Sequence, residues 1–166
     1  MNDSQQNSTF SFWDKFWLTI VSLIVALVAI IGFTNINLLT PTILMYMAFW
    51  VSPMLMLFQY RSLRKTKTFI AWTIVSLLMF IEFFWLRRYQ ILLHSGYNAA
   101  NCFKTPISFL LLFAFFRRLA KELYFPELII PGKYWNYSYQ EQRYTNAMDL
   151  ISFFSYWIAI ILTAIY

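Results

Sequence analysis

Five apolar stretches separated by short polar hinges make up most of the 166-residue chain. The longest apolar run covers residues 16–33 and contains no charged residue, and a transmembrane helix needs about 20 predominantly apolar residues. Apolar residues account for 60% of the chain and charged residues for only 12%, so water is an implausible solvent for its surface. The pattern predicts an all-α, polytopic transmembrane protein with five helical segments in a single domain.

Helix start signals precede four of these stretches, and in the fourth stretch Thr105 is the predicted N-cap and is followed by Pro106. Ser11 and Asp14 have the spacing of a capping box before the first stretch, and Asn146 and Asp149 stand at the start of the last. Thr40 is a favourable N-cap and is followed by a proline at the first helical position, where the missing N–H group costs nothing. The predicted segments are residues 12–33, 41–60, 68–87, 106–124 and 147–166.

Prolines and polar residues indicate where these helices bend and end. Pro53 lies inside the second segment and predicts a kink near Phe49, with Ser52 placed to satisfy the carbonyl group that the proline frees. The short uncharged turn 34–39 predicts that segments 1 and 2 form an antiparallel hairpin. The polar stretch 95–105 predicts a loop before the fourth segment.

The fourth segment permits two interpretations. Its apolar part, residues 107–116, is followed at once by Arg117 and Arg118, so the helix either crosses with snorkelling arginines or continues as an interfacial amphipathic helix. Lys and Arg accumulate on the inner side of membrane proteins. Five crossings with the N-terminus inside place ten of the 13 Lys and Arg residues inside, whereas four crossings place eight inside. The charge distribution therefore favours five crossings.

Glu82 is the only acidic residue within an apolar run. A carboxylate in hydrocarbon costs about 2 to 3 kcal/mol or more at mid-depth, although Glu82 lies roughly 6 Å from the interface by helical rise. Arg87 and Arg88 lie on other faces of the same helix, so neither is its natural partner. One interpretation is that Glu82 acts as a proton or ion relay, or as a lock to a basic residue of another helix or subunit. The other is that Glu82 is a near-interface carboxyl group that snorkels or is protonated.

Polar and aromatic residues at the membrane border are candidates for contacts with a partner. Arg87, Arg88 and His94 follow the third segment. A second group lies between the fourth and fifth segments, where aromatic rings with polar tips suit a membrane boundary, a docking loop, or a site for a quinone, lipid or sugar. This second group consists of Tyr134, Trp135, Tyr137, Tyr139 and Arg143.

Four cations between the second and third segments form a basic cluster. Such a cluster attracts anionic lipid headgroups at a membrane surface. No basic stripe with interleaved aromatic residues stands outside the membrane segments, so we predict no nucleic-acid partner. The cluster consists of Arg61, Arg64, Lys65 and Lys67.

The scarcity of certain residue types argues against several kinds of chemistry. One cysteine, Cys102, and one histidine provide neither a disulfide within the chain nor a complete metal site. Three glycines are too few for a phosphate-binding loop, and we find no repeating pair of small residues that marks a close helix-packing face. We therefore predict no metal, no cofactor and no catalytic residue.

These features favour a small non-catalytic subunit or assembly factor of a larger membrane complex of the energy-converting or secretion type. Its partners would be the lipid bilayer and other integral membrane subunits, in a bacterial or mitochondrial inner membrane with the N-terminus inside. One alternative is a homo-oligomeric pore or effector, but Thr73, Ser76 and Glu82 do not fall on one line at about 100° per residue. Another is an intramembrane enzyme acting on a lipid or quinone, which lacks a second convergent acid.

Overall fold

The computed structural model describes residues 10–35, 40–89, 93–94, 97–123, 128–129, 131, 137–138 and 143–166. In this part of the chain five helices are long and apolar enough to span a membrane, which confirms the predicted all-α transmembrane fold and identifies an integral membrane protein. The α-helices are α1 (Phe12–Thr34), α2 (Pro41–Phe49), α3 (Val51–Phe58), α4 (Thr66–Leu86), α5 (Thr105–Glu122) and α6 (Ala147–Ile165). Helices α2 and α3 together form the second of the five spans.

Short elements connect these helices. The 3-10 helix Ser62–Arg64 precedes α4, and the 3-10 helix Ala99–Lys104 runs directly into α5. Two antiparallel pairs of two-residue strands complete the described part of the chain, with Leu93 opposite Asn98 in one pair and Tyr137 opposite Tyr144 in the other. The strands are β1 (Leu93–His94), β2 (Tyr97–Asn98), β3 (Tyr137–Ser138) and β4 (Arg143–Tyr144).

Three of the four predicted caps are present, whereas Thr105 is the first residue of α5 and the N-cap, Lys104, forms no side-chain cap hydrogen bond. The Ser11 hydroxyl accepts the Asp14 N–H group, and the Asp14 carboxylate accepts the Ser11 N–H group in return. Asn146 and Asp149 form the same reciprocal pair at the start of α6, and the Thr40 hydroxyl accepts a backbone N–H group in the first turn of α2. These local hydrogen bonds satisfy donors that the helix itself leaves without a partner.

The second span is interrupted at Trp50, between α2 and α3, because Pro53 cannot donate to the carbonyl group four residues earlier. This break is the kink that the sequence predicts near Phe49. The Ser52 hydroxyl forms a different bond from the one predicted: it lies 2.8 Å from the Thr105 hydroxyl, which itself donates to a backbone carbonyl group, so Ser52 is the donor. Ser52 thereby links the kinked span to the start of α5.

Helix α1 packs mainly along α4, not along α2 as the predicted hairpin suggests. The two helices are parallel, because Asp14 near the start of α1 lies 3.8 Å from Lys65 before α4, and Gly32 near its end contacts Trp85 near the end of α4. A Cβ atom at position 32 would collide with the Trp85 ring, so glycine permits this close approach. Residues 36–39, which contain most of the predicted turn, lie outside the described residues.

The 3-10 helix Ala99–Lys104 corrects the predicted loop over residues 95–105. It packs among α2, α4 and α6, and its residues 99–103 are buried. The Asn98 side chain caps this helix, and the Asn101 amide donates to the Ile165 carbonyl group at the end of α6. Asparagine is common in loops, but here both asparagines satisfy backbone groups and allow the small and apolar residues between them to be buried.

Cys102 provides a direct test of this correction. Its side chain is 2% exposed, so we expect a maleimide to react with the folded, detergent-purified protein at least about 100-fold more slowly than with the SDS-denatured protein. Labelling can be followed by intact mass. A cysteine introduced at exposed Lys121 is the matched control and should react rapidly in the folded state. Equal rates for Cys102 in both states would contradict the packed 3-10 helix.

The packing of α5 favours the spanning interpretation of the fourth segment. Of the 18 most apolar consecutive residues in Ala99–Glu122, 61% are buried within the protein, compared with 22% of the corresponding residues in α1. An interfacial helix would place one face in water, whereas α5 packs against α6, α4 and α3. Helix α5 is therefore a central helix of the bundle, and buried Ala120 shows that its packing continues past Arg117 and Arg118.

Polar contacts join the chain after α5 to the end of the bundle at which α1, α4 and α6 begin, called here the basic end. The Arg64 guanidinium donates to the Leu128 carbonyl group and lies 5.8 Å from the centre of the Tyr60 ring. The next residue, Ile129, donates its N–H group to the Asp149 carboxylate at 2.9 Å. These contacts fix residues 128–129 against the start of α6.

Candidate functional site

An open groove between the parallel helices α1 and α4 has a volume of about 360 Å³ and is called here the α1/α4 groove. Its α1 side carries small residues, Ser22, Ala26 and Ala29, which leave the space between the helix backbones unfilled. They are spaced by four and then three residues, so they lie on one face of the helix. This face corrects our statement that the sequence contains no repeating pair of small residues.

Glu82 lines this groove from α4. Its side chain is only 8% exposed, and its Oε2 atom is buried without a hydrogen-bond partner among the described residues. A polar atom buried in this way costs free energy comparable to a lost hydrogen bond. The α1/α4 groove thus combines a largely apolar, open surface with one acceptor oxygen that the described part of the chain leaves without a donor.

Two cations near Glu82, Arg87 and Lys104, contact an aromatic ring. The Arg87 guanidinium lies 5.8 Å, and the Lys104 ammonium 4.9 Å, from the centre of the Phe83 ring. Arg88 is exposed at the end of α4. Within the described ranges, no ion pair connects Glu82 to Arg87 or Arg88, in agreement with their positions on other faces of the helix.

Three of the remaining predicted contact residues lie in the short strand pairs. His94 is in β1 opposite Tyr97, and Tyr137 and Arg143 are in β3 and β4. The structure therefore places these three residues by their backbone only. Tyr134, Trp135 and Tyr139 lie outside the described residues, so their predicted role in an interface stays a prediction.

The basic cluster divides into two pairs of different environment. Arg61 and Lys67 are exposed, which suits contact with lipid headgroups. Arg64 and Lys65 are partly buried, and they contact the Leu128 carbonyl group and the Asp14 carboxylate respectively. Half of the cluster therefore also contributes to the packing of the chain.

Two buried tyrosines form a feature that the sequence analysis missed. Tyr60 follows α3 and Tyr156 lies in α6, and their ring centres are 6.4 Å apart. Both side chains are almost fully buried. Phe113 of α5 contacts the Tyr60 ring, and Phe109 and Phe116 of the same helix contact the Tyr156 ring. No local pattern indicates a pair so far apart in sequence.

Helix α4 does not present its polar residues as one stripe. The Thr73 hydroxyl donates to the Phe69 carbonyl group of its own helix at 2.8 Å, and Ser76 is completely buried. Glu82 instead lines the α1/α4 groove. The residues that the structure describes contain no group of three or more His, Cys, Asp and Glu side chains that could hold a metal ion.

No protein-family model, curated protein or solved structure matches this chain. The α1/α4 groove and Glu82 are therefore the features of this chain that indicate a function. A groove of this kind offers a surface for a helix and one acceptor for a hydrogen-bond donor.

Proposed function

We propose that the protein is a small non-catalytic subunit or assembly factor of a larger membrane complex, of the energy-converting or secretion type. In this proposal a transmembrane helix of another subunit occupies the α1/α4 groove and presents a hydrogen-bond donor to Glu82. The observation that carries the proposal is the buried Oε2 atom of Glu82, which has no partner among the described residues.

The chemistry of the groove supports a helix as its occupant. Lipid tails are as apolar as leucine side chains, so helices associate in membranes through close packing and hydrogen bonds, often at small residues. Ser22, Ala26 and Ala29 provide such a surface on α1. A lipid tail could fill this space but could not donate to Glu82, whereas a side chain of a partner helix can do both.

Charge distribution supports an orientation with the N-terminus inside, and the membrane that we propose is a bacterial or mitochondrial inner membrane. The basic end carries Lys15, the basic cluster and the cations near the end of α5. The opposite end carries Arg87, Arg88 and Lys104. The asymmetry matches the positive-inside rule for five crossings.

Filling the α1/α4 groove should prevent this association. Ala26 is exposed within the groove, so Ala26→Trp should leave the fold intact and reduce the yield of co-purified partner at least about tenfold, because the indole occupies the partner's space. Leu111→Trp is the matched control, since Leu111 is exposed on α5 and does not line the groove. The measurement is purification from the native membrane in mild detergent, followed by quantitative mass spectrometry.

The possible outcomes separate the competing functions. Different membrane proteins that co-purify at a fixed ratio, and are lost only with Ala26→Trp, would support the subunit proposal. A homo-oligomer of this chain alone would overturn it in favour of the pore alternative. Equal partner yields from both tryptophan variants would show that the α1/α4 groove is not the contact.

A further inference from the structure

A second cavity lies at the basic end, between the start of α1 and the end of α3. Its volume is about 570 Å³, and it is called here the interfacial pocket. It lies at the membrane boundary predicted for the first two spans, at the end of the bundle away from Glu82. Its lining includes the side chains of Asp14, Gln59, Arg61, Trp13, Trp17 and Phe58.

Two buried acceptor atoms belong to residues that line this pocket. Asp14 is 1% exposed, and its Oδ2 atom accepts the Ser11 N–H group and lies 3.8 Å from the Lys65 ammonium. Its Oδ1 atom has no hydrogen-bond partner among the described residues. Gln59 is 2% exposed, and its Oε1 atom likewise has none. The pocket therefore suits an occupant with several N–H donors, and a positive charge strengthens a hydrogen bond to the Asp14 carboxylate.

The rest of the lining suits an amphipathic occupant. Trp17 stacks on Phe58 with ring centres 6.5 Å apart, and Trp13 and Phe58 are both largely exposed. Tryptophan favours the headgroup level of a membrane and attracts cations to its ring face. Arg61 is exposed at the same pocket, and a guanidinium group binds phosphate through paired N–H donors. Cation-binding and phosphate-binding groups thus lie beside an apolar aromatic surface.

We propose that the interfacial pocket binds the headgroup of a phospholipid that carries a primary amine, namely a phosphoethanolamine headgroup. The ammonium group donates to Asp14 and Gln59, the phosphate contacts Arg61, and the acyl chains lie along Trp17 and Phe58. A choline headgroup has the same charges but no N–H donor. A glycerol headgroup has hydroxyl donors but no positive charge to strengthen the hydrogen bond to Asp14. The amine headgroup alone among these three combines N–H donors with a positive charge.

The experiment compares three phospholipids with identical acyl chains, carrying ethanolamine, choline or glycerol headgroups, added to the full-length protein in detergent. Native mass spectrometry gives the relative affinities. We expect the ethanolamine lipid to bind about tenfold to a hundredfold more tightly than the choline lipid, as for a lost charge-assisted hydrogen bond. Asp14→Asn and Gln59→Met should each reduce this preference about tenfold or more.

Two controls separate lipid recognition from folding and from general charge. Lys67→Gln removes an exposed cation of the basic end that does not line the pocket, and it should leave the preference unchanged. Gln59→Met removes a buried acceptor without changing the volume greatly, so thermal unfolding in lipid-free detergent should stay the same while the preference falls. Equal binding of the ethanolamine and choline lipids, preference for the glycerol lipid, or an unchanged preference in Gln59→Met would each overturn the proposal.

Discussion

Asp149→Ala should lower the free energy of unfolding by about 3 kcal/mol, the largest loss of stability that we expect from one polar substitution in this chain. Asp149 is completely buried at the start of α6. One carboxylate oxygen accepts the Ile129 N–H group and the other accepts the Asn146 N–H group, both at 2.9 Å. Alanine removes both acceptors and leaves two backbone donors without them, one of which belongs to the connection after α5.

This prediction can be measured by SDS-induced unfolding in mixed micelles, followed by circular dichroism. Asp149→Asn should fall between the wild type and alanine, because its single amide oxygen can replace only one of the two acceptors. Glu122→Ala is the control, since this exposed carboxylate of α5 pairs with Arg118 at the surface and should change stability by less than about 0.5 kcal/mol. A loss below about 1 kcal/mol for Asp149→Ala would contradict the proposed role of this carboxylate.

The sequence was sufficient for those parts of the fold that depend on local physics. Capping residues three positions apart, such as Ser11 and Asp14, act on their own helix, and apolar length alone decides whether a helix can span a membrane. The break near Pro53 has the same local origin. Such features need no knowledge of which helices are neighbours.

The parts that were missed depend on contacts between distant residues. Gly32 and Trp85 are far apart in the sequence, and the contact between them places α1 beside α4 instead of α2. The predicted loop that contains Asn101 is similarly a packed structure, and the Asn101 amide reaches the end of α6. Hydrophobic periodicity shows that a helix has a buried face, but it does not identify the helix that covers it.

For the candidate site, composition identified the residue but not its surroundings. Glu82 was conspicuous as a carboxyl group within an apolar run, yet the groove beside it arises from the pairing of α1 with α4. Ser22 and Ala26 were a recognisable signal, since small residues four positions apart often mark helix contacts in membranes. Their spacing alone does not show that α4 is the helix opposite them.

Glu82→Leu should abolish association with the partner while leaving the isolated chain at least as stable as the wild type. In the isolated protein leucine replaces a buried oxygen that lacks a partner among the described residues, so the substitution removes an unfavourable group. In the complex it leaves the partner's donor buried without an acceptor. We expect co-purified partner to fall at least about tenfold. A residue needed only for folding would show the opposite combination.

Glu82→Gln then identifies the kind of donor that the partner presents. An amide keeps an acceptor oxygen but loses the negative charge, so a neutral donor should retain most of the complex and a cationic donor should lose most of it. Glu122→Gln makes the same chemical change at an exposed site and should leave the partner yield unaffected. Wild-type yields from both Glu82 variants would refute the docking role. Loss of the complex together with unchanged thermal unfolding would assign the effect to the carboxylate itself.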